Sequence, residues 1–405
     1  MLRERRIAIG IGGGIAAYKA CELISRLVKS GAQVRAVLTE SAQAFVTPLT
    51  AATLSRQQAY TDADFWQPHP RPLHIELAEW AEVLVVAPLT ANTLGKLAAG
   101  LADNLLTNTV LASRCPLLLA PAMNVEMWGQ PAVQRNWSLL QQAERVRGLD
   151  PGSGLLACDR VGTGRMAEPA AIELAVCSAL HAGGRADLAG KRVLVTAGGT
   201  REPLDPVRFL GNPATGRMGL AIAQAAAHRG AEVTLIGTWP QEAVAAGIAL
   251  VPASSAARMH QALLERFERA DWAILAAAVA DIKPASYWAH KRPKRSLPTS
   301  LPLAWVPDIA ADLGARKQPH QTTIGFAAQT GETVVPAREK LARKQLDAIA
   351  ANPIDAPDAG FGSETNRATL LDAWGRERAI GPCSKFELAH GLLDFVATLP
   401  QRSAG

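Results

Sequence analysis

The stretch IAIGIGGGIAAYKA, Ile7 to Ala20, decides the fold of the amino-terminal half. A β-branched run enters the glycines Gly10, Gly12, Gly13 and Gly14, and Ala16, Ala17 and Tyr18 then open a helix. This is the strand–turn–helix start of a doubly wound α/β unit, with backbone N–H groups and a positive helix end offered to a phosphate. A dinucleotide site also wants an acidic residue ending the next strand, to take ribose hydroxyls. That strand ends VLTESA, with Thr39 and Ser41 flanking Glu40. Hydroxyls suit a phosphate or a flavin edge better than a ribose diol, while Glu40 keeps the nicotinamide reading open. A bare GxG loop is more often only a tight turn.

Working outward, short apolar runs predict buried parallel strands at Ile7–Ile11, Gln33–Leu38, Val83–Ala87 and Leu117–Ala120. Helical periodicity predicts Ala16–Val28, Leu73–Trp80, Leu94–Leu106, Val133–Ala143 and Ala170–Leu180. A small, polar stretch at 184–190 reads as a linker between domains 1–183 and 191–405. The pattern then restarts. Strands are expected in KRVLVTAGG, Ala231–Ile236, Trp272–Ala277 and Thr322–Ala327, with a strand pair near Ile349 and Thr369–Leu371. Helices are expected at Gly219–His228, Ala256–Arg269 and Pro336–Leu346. The fold class is α/β, two doubly wound Rossmann-like domains, each placing a site at the carboxyl ends of its strands.

The totals agree with two well-buried cores. Of 405 residues, 48% are hydrophobic and 19% charged, which excludes a disordered chain. MLRERR leads straight into a strand without an apolar leader, and no apolar run is long enough to span a bilayer. Five cysteines without CxxC spacing point to a reducing, cytoplasmic setting and to neither a disulfide framework nor a zinc site. The net charge of +6 is scattered apart from KRPKR, Lys291 to Arg295. No basic stripe for nucleic acid is present, and phosphorylated small substrates account for the charge equally well.

Several separated motifs carry chemistry. APLTANT, with Thr90 and Asn92, ends a buried strand in hydroxyls and an amide, and PAMNVEMW, with Met123 and Asn124, does the same after the next strand. His74 begins HIELAEWAE, and Cys158 lies in the glycine-rich ACDRVGTGRM. Alone, a helical histidine is usually structural, and a free cysteine is usually a buried small apolar residue. Cys21, Cys115, Cys177 and Cys383 fit that reading. Taken together and in this order, the motifs resemble the flavin-containing cysteine decarboxylases, a flavodoxin-like flavoprotein family. Leu89 departs from it, where the family has a small residue.

The resemblance implies an FMN site of Gly12, Gly13, Gly14, Thr39, Ser41, Thr90, Asn92 and Met123. It also implies acid/base chemistry at His74, a substrate carboxylate held by Asn124, and proton donation by Cys158 from a mobile flap. The chemistry is coherent. An alkyl carboxylate cannot lose carbon dioxide unless the carbanion can delocalise, and flavin oxidation of a cysteinyl thiol places the carboxylate β to an electron sink.

In the second half, VTAGGTREPLDPVRFLGNPATGRMG, Val195 to Gly219, offers a glycine turn, a helix entry at Gly216 and Arg201, Arg208 and Arg217 nearby. Lys340 and Lys344 are four apart, so both leave one face of a helix; such a pair is usually a solvated face. With AAAVADIKP, PDIA and IGFAAQT these segments resemble the CTP-dependent phosphopantothenate–cysteine ligases of coenzyme A biosynthesis. The resemblance implies a CTP site of Asp281, Lys291, Pro307, Asp308, Ile309, Ala310, Phe326, Lys340 and Lys344, with Lys294 the fallback for Lys291. It implies that Asn212 acts on an acyl-cytidylate and that Mg²⁺ rides on the CTP phosphates, with no protein metal ligands assigned. Ala214 and Thr215 stand where the family has serines.

The expected function is bifunctional: CTP-dependent joining of 4′-phosphopantothenate to cysteine, then FMN-dependent decarboxylation of the product to 4′-phosphopantetheine. The resemblance further implies a homo-oligomer. Flavin units would trimerise, sharing FMN between subunits, ligase units would dimerise, and a dodecamer satisfies both. A non-catalytic flavoprotein-like regulator would be expected to lack His74, Asn124 and Cys158, and all three are present. A nicotinamide dehydrogenase leaves PAMNVEMW and the whole second half unexplained.

Overall fold

The computed structural model describes residues 1–155, 160–239, 247–355, 363 and 365–400. The chain divides into two compact units, Met1–Asp187 and Leu188–Gly405. Leu188, inside the stretch read as a linker, is buried and donates its N–H to the Arg229 carbonyl at 2.9 Å.

Among the described residues the main sheet of the first unit has six strands: β1 (Arg6–Ile11), β2 (Gln33–Leu38), β3 (Ala59–Tyr60), β4 (Val83–Leu89), β5 (Leu117–Pro121) and β6 (Val146–Gly148). All pair in parallel, in the order β3-β2-β1-β4-β5-β6. Every residue of β4 is buried, which is why its sequence is a continuous apolar run rather than an alternation. The Ala17–Lys29 helix covers one face through Ala17, Ala20, Leu23, Ile24 and Leu27, a stripe at helical spacing. Burial of each leucine contributes about 1.5–3 kcal/mol. The direction of winding reverses between β1 and β4, opening a crevice at their carboxyl ends, where such sheets bind ligands.

One expectation is corrected here. The single helix read over Leu94–Leu106 is two helices, Ala91–Ala99 and Leu105–Ala112. Gly100 ends the first in the left-handed region (φ 70), which costs glycine no Cβ clash. Asn104 starts the second, its Oδ1 accepting the Thr107 N–H at 2.9 Å while its own N–H donates to Thr107 Oγ1.

The second unit's main sheet has eight strands among the described residues, ordered 248–252, 232–237, 192–197, 272–275, 322–329, 348–353, 365–372 and 377–384. The first six pair in parallel; Thr365–Asp372 and Glu377–Ser384 join antiparallel, so a hairpin closes one edge of an otherwise doubly wound sheet. The sequence reading also missed the Lys385–Ala397 helix. Its buried positions, including Phe386, Leu388, Ala389, Leu392, Leu393, Phe395 and Val396, run nearly round the cylinder and blur a 3.6-residue period.

That helix packs on Arg217–His228, where the His228 ring meets Phe386 at 6.1 Å between centroids. Burial pushes the His228 imidazole down to about 4 from its ordinary 6.5. Between those values the unfolded chain binds a proton that the folded chain refuses. The contribution is therefore intact above pH 6.5 and is lost as pH falls towards 4. The residue as a whole retains some solvent exposure, so the expected loss is on the order of 2 kcal/mol rather than the full linkage value. Denaturant titrations at pH 7 and pH 4.5 should show this difference, and His228→Phe should shrink it. An unchanged difference in the variant would assign the acid sensitivity elsewhere.

Candidate active sites

In the first unit, the loops after β1, β2, β4 and β5 converge on the crevice. Gly12 donates its N–H to the Pro88 carbonyl at 3.1 Å, so the glycine turn is tied to the end of β4. A Cβ on Gly12 would stand 2.6 Å from that carbonyl oxygen and 3.1 Å from Thr90 Cγ2. A Cβ on Gly13 would overlap the Ser41 side chain and come within 2.7 Å of its backbone carbon, whereas Gly14 faces open space apart from Thr90 at 3.9 Å. The close approach therefore requires glycine at two positions and leaves the third facing open space.

Thr39 is buried, its hydroxyl donating to the Ile11 carbonyl at 3.3 Å and lying 3.3 Å from Ser41 Oγ. Thr90 caps the Ala91–Ala99 helix by accepting from the Thr93 N–H, and Asn92 lies exposed on its first turn. A helix amino end therefore adds its donors to the crevice.

After β5, Met123 donates its N–H to Gly164 at 3.0 Å, and Asn124 caps a short helix through the Glu126 N–H at 2.8 Å. Gly164 belongs to a hairpin, Gly152–Leu155 with Val161–Arg165, seated on this segment. A Cβ on Gly164 would overlap the Met123 carbonyl oxygen, and one on Gly162 would stand 2.7 Å from Val125 Cγ2. Cys158 lies outside the described residues. His74 sits on Leu73–Trp80 with its ring edge-on to Phe65 at 5.4 Å. Its Nδ1 is buried and finds no hydrogen-bond partner among the described residues. No described hydrogen bond joins His74 to the glycine crevice.

In the second unit a cavity of about 560 Å³ opens at the carboxyl ends of the parallel strands. It brings together Asn212, Asp281, Pro307, Asp308, Ile309, Ala310, Phe326, Lys340 and Lys344, which lie up to 132 positions apart (344 − 212). Asp308 caps the Ile309–Arg316 helix through the Ala311 N–H at 3.1 Å and accepts from Lys344 Nζ at 2.9 Å. Burial alone would raise the Asp308 carboxyl. The Lys344 bond, the Ala311 N–H and the two lysine charges outweigh it and hold the group below its ordinary value.

Lys340 donates to the Phe326 carbonyl at 2.9 Å. Burial and then the Lys344 charge push its ammonium below the usual lysine value, against the pull of Asp308 and Asp281. Asn212 donates from Nδ2 to the Ala278 carbonyl at 3.0 Å, keeping its side-chain oxygen out of that bond.

The described lining does not include Lys291 or Lys294. Both are exposed on the loop between Ile282–Pro284 and Leu303–Trp305. Among the lining residues that sequence reasoning did not single out are Lys385, Asn352 and Asn366. Lys385 starts the missed carboxyl-terminal helix, and burial followed by the Arg217 charge lowers its ammonium. A capping Ser384 with Glu387 three residues on was the available signal. Among the described residues no group of three or more His, Cys, Asp or Glu could hold a metal ion.

The flavoprotein family model matches residues 1–181, and the model for the DNA/pantothenate metabolism flavoprotein C-terminal domain matches residues 188–399. The chain is 43% identical over 405 residues to the coenzyme A biosynthesis bifunctional protein CoaBC of Bacillus subtilis (strain 168), covering 100% of this chain and 99% of the relative. It is 38% identical over 398 residues to the CoaBC protein of Vibrio cholerae serotype O1 (strain ATCC 39315 / El Tor Inaba N16961), covering 98% of each. It is also 42% identical over 359 residues to a cysteine/cysteine sulfinic acid decarboxylase of an unknown prokaryotic organism, covering 87% of this chain and 99% of that one.

Proposed function

The chain belongs to the family of coenzyme A biosynthesis bifunctional proteins, and from that premise we propose how its two units divide the work. It is a flavoprotein with a phosphopantothenoylcysteine decarboxylase activity and a CTP-dependent phosphopantothenate–cysteine ligase activity. The observation that carries the assignment of sites is the gathering of Asp281, the 307–310 wall, Phe326, Lys340 and Lys344 around one cavity.

In that cavity the ligase reaction would proceed in two displacements. The carboxylate of 4′-phosphopantothenate attacks the α-phosphorus of CTP, and the P–O bond to pyrophosphate breaks. The cysteine amine then attacks the acyl carbon, and CMP leaves as the amide forms. Lys340 and Lys344, held at the end of one helix, offset phosphate charge. Asn212, fixed by its Nδ2 bond to Ala278, orients the acyl-cytidylate through its amide oxygen. Lys291 would enter from the exposed loop, with Lys294 in its place if the register shifts by three. Mg²⁺ would arrive on the CTP phosphates and keep most of its waters.

The first unit's crevice fits FMN. Gly12 and Gly13 leave no room for side chains, Gly14 opens outward, and Thr39, Ser41, Thr90, Asn92 and Met123 surround the same loops. Bound there, FMN supplies the reversible two-electron oxidation of the cysteinyl thiol that lets carbon dioxide depart. His74 moves a proton at an imidazole nitrogen, Asn124 holds the substrate carboxylate, and Cys158 returns a proton to the product carbon skeleton.

The assembly proposed is a homo-oligomer, trimeric through flavin units and dimeric through ligase units, reaching a dodecamer. Exposed Ile15, Tyr18, Phe45 and Leu49 in the first unit, and Phe209 and Leu303 in the second, leave apolar side chains available for contacts between copies. Among the described residues no helix is long and apolar enough to cross a membrane, and a cytoplasmic setting is proposed.

The test follows pyrophosphate and carbon dioxide from the purified chain given phosphopantothenate, CTP and cysteine. The expected result is a yellow protein that releases pyrophosphate only with phosphopantothenate present, then carbon dioxide. Gly13→Ala should be colourless and release pyrophosphate alone. A colourless parent protein that added FMN does not restore would overturn the flavin site.

A further inference from the structure

We propose that Lys317, which lies outside the cavity, is a positioning residue for the lysines on the cavity wall; the inference rests on reading that cavity as the CTP site. The helix Ile309–Arg316 is fastened at both ends to a single short segment, 344–347. At its amino end, Asp308 Oδ1 accepts from Lys344 Nζ at 2.9 Å. At its carboxyl end, Lys317 is the cap residue and donates from Nζ to the Gln345 carbonyl at 2.6 Å and to Asp347 Oδ2 at 2.7 Å. Between the two, Gly314 lies so close to Lys344 that a Cβ would overlap its carbonyl oxygen. Contacts at 308, 314 and 317 thus meet 344, 345 and 347, and the helix runs flush against the segment.

The carboxyl-end fastening is the dry one. Both Lys317 and Asp347 side chains are 2% exposed, whereas Asp308 in the amino-end pair is 51% exposed. An exposed pair is worth little and exchanges with solvent, while a buried, fully bonded pair cannot open without leaving a desolvated charge behind. Asp347 Oδ2 also accepts the Thr323 N–H at 2.7 Å and the Thr323 hydroxyl at 3.1 Å, which ties the clamp to the strand that carries Phe326. Gln345 takes a left-handed backbone (φ 51), turning the chain just after Lys344 where its carbonyl meets Lys317. Three parts of the cavity wall are therefore set against one another by a bond none of them contains: the 307–310 turn, the Lys340–Lys344 helix end and Phe326.

Lys317 acts through Lys344 and Asp308 and is not among the residues that line the cavity. Its loss should release the spacing between the lysine pair and the 307–310 wall. Steady-state ligation by the full chain tests this, with Lys317→Met, Gly314→Ala and Lys344→Ala compared side by side. The expected result is a KM for CTP raised at least tenfold in Lys317→Met and in Gly314→Ala, with KM for phosphopantothenate and cysteine within twofold of the parent. A purely structural role would lower kcat, through less folded enzyme, and leave KM for CTP in place; that result overturns the inference. Gly314→Ala retains both side chains of the ion pair but forces the helix away from the Lys344 carbonyl oxygen, and so tests the same spacing if Lys317→Met does not fold. If Lys344→Ala raises KM for CTP and neither other variant does, the clamp is wrong and the CTP reading stands. If none of the three moves it, the CTP reading fails and takes the inference with it.

Discussion

His74→Asn should lower decarboxylation by about 10²–10⁴-fold, the usual range for loss of a positioned acid/base group, while the protein stays yellow and ligation continues unchanged. The imidazole is held by its place on Leu73–Trp80, a helix anchored by buried Leu73 and Leu77, and by the Phe65 ring at 5.4 Å. Its Nδ1 is buried without a hydrogen-bond partner among the described residues. Leaving such an atom unsatisfied costs about 1–3 kcal/mol, which a structural histidine would avoid and a histidine awaiting a ligand or a second subunit would tolerate. Asparagine keeps hydrogen-bonding capacity but cannot take up and return a proton. The variant should denature no earlier than the parent. A rate within tenfold of the parent, or a large loss of stability with the rate per folded molecule intact, would return His74 to a structural role.

Lys340→Gln should raise KM for CTP by about 10–100-fold, the value of a hydrogen bond or close contact from a charged donor. The ammonium group is already desolvated and fixed on the Phe326 carbonyl at 2.9 Å, so no ordering is needed when an anion arrives. The same burial lowers its proton affinity, with the Lys344 charge adding to the effect. The sign follows directly: as pH rises, Lys340 loses its charge before an ordinary lysine would, and CTP affinity should fall on that limb. Lys340→Arg, which keeps its charge throughout, should move the alkaline limb to higher pH. Titration of CTP binding against pH for both variants checks this. An unaltered KM in Lys340→Gln, or coincident alkaline limbs in parent and Lys340→Arg, would remove Lys340 from the nucleotide site.

Much of the architecture was legible before any coordinates. The β4 run, the stripe of Ala17, Ala20, Leu23, Ile24 and Leu27, and the glycine cluster after β1 each state their structure within a few residues. The single helix read through Leu94–Leu106 failed because apolar spacing persists across Gly100, whose left-handed conformation and the Asn104–Thr107 capping box interrupt it. The Lys385–Ala397 helix went unread because burial on nearly all sides erases amphipathic contrast. Lys385, Asn352 and Asn366 escaped notice for a related reason: nothing local says that a strand end and a distant helix start share a cavity.

By itself the sequence determined what depends on neighbouring residues: element types, caps, the tight glycine turn after β1, and the motifs that mark a flavoprotein followed by a ligase. Only the tertiary structure decided which charges are dry and what holds them. Lys317 and Asp347 are thirty residues apart and unremarkable in composition, yet both are withdrawn from water against the same threonine. Burial is a property of the packed chain, and it is burial that makes one lysine a rigid clamp while Lys291, in the most basic stretch of the chain, remains an exposed loop residue.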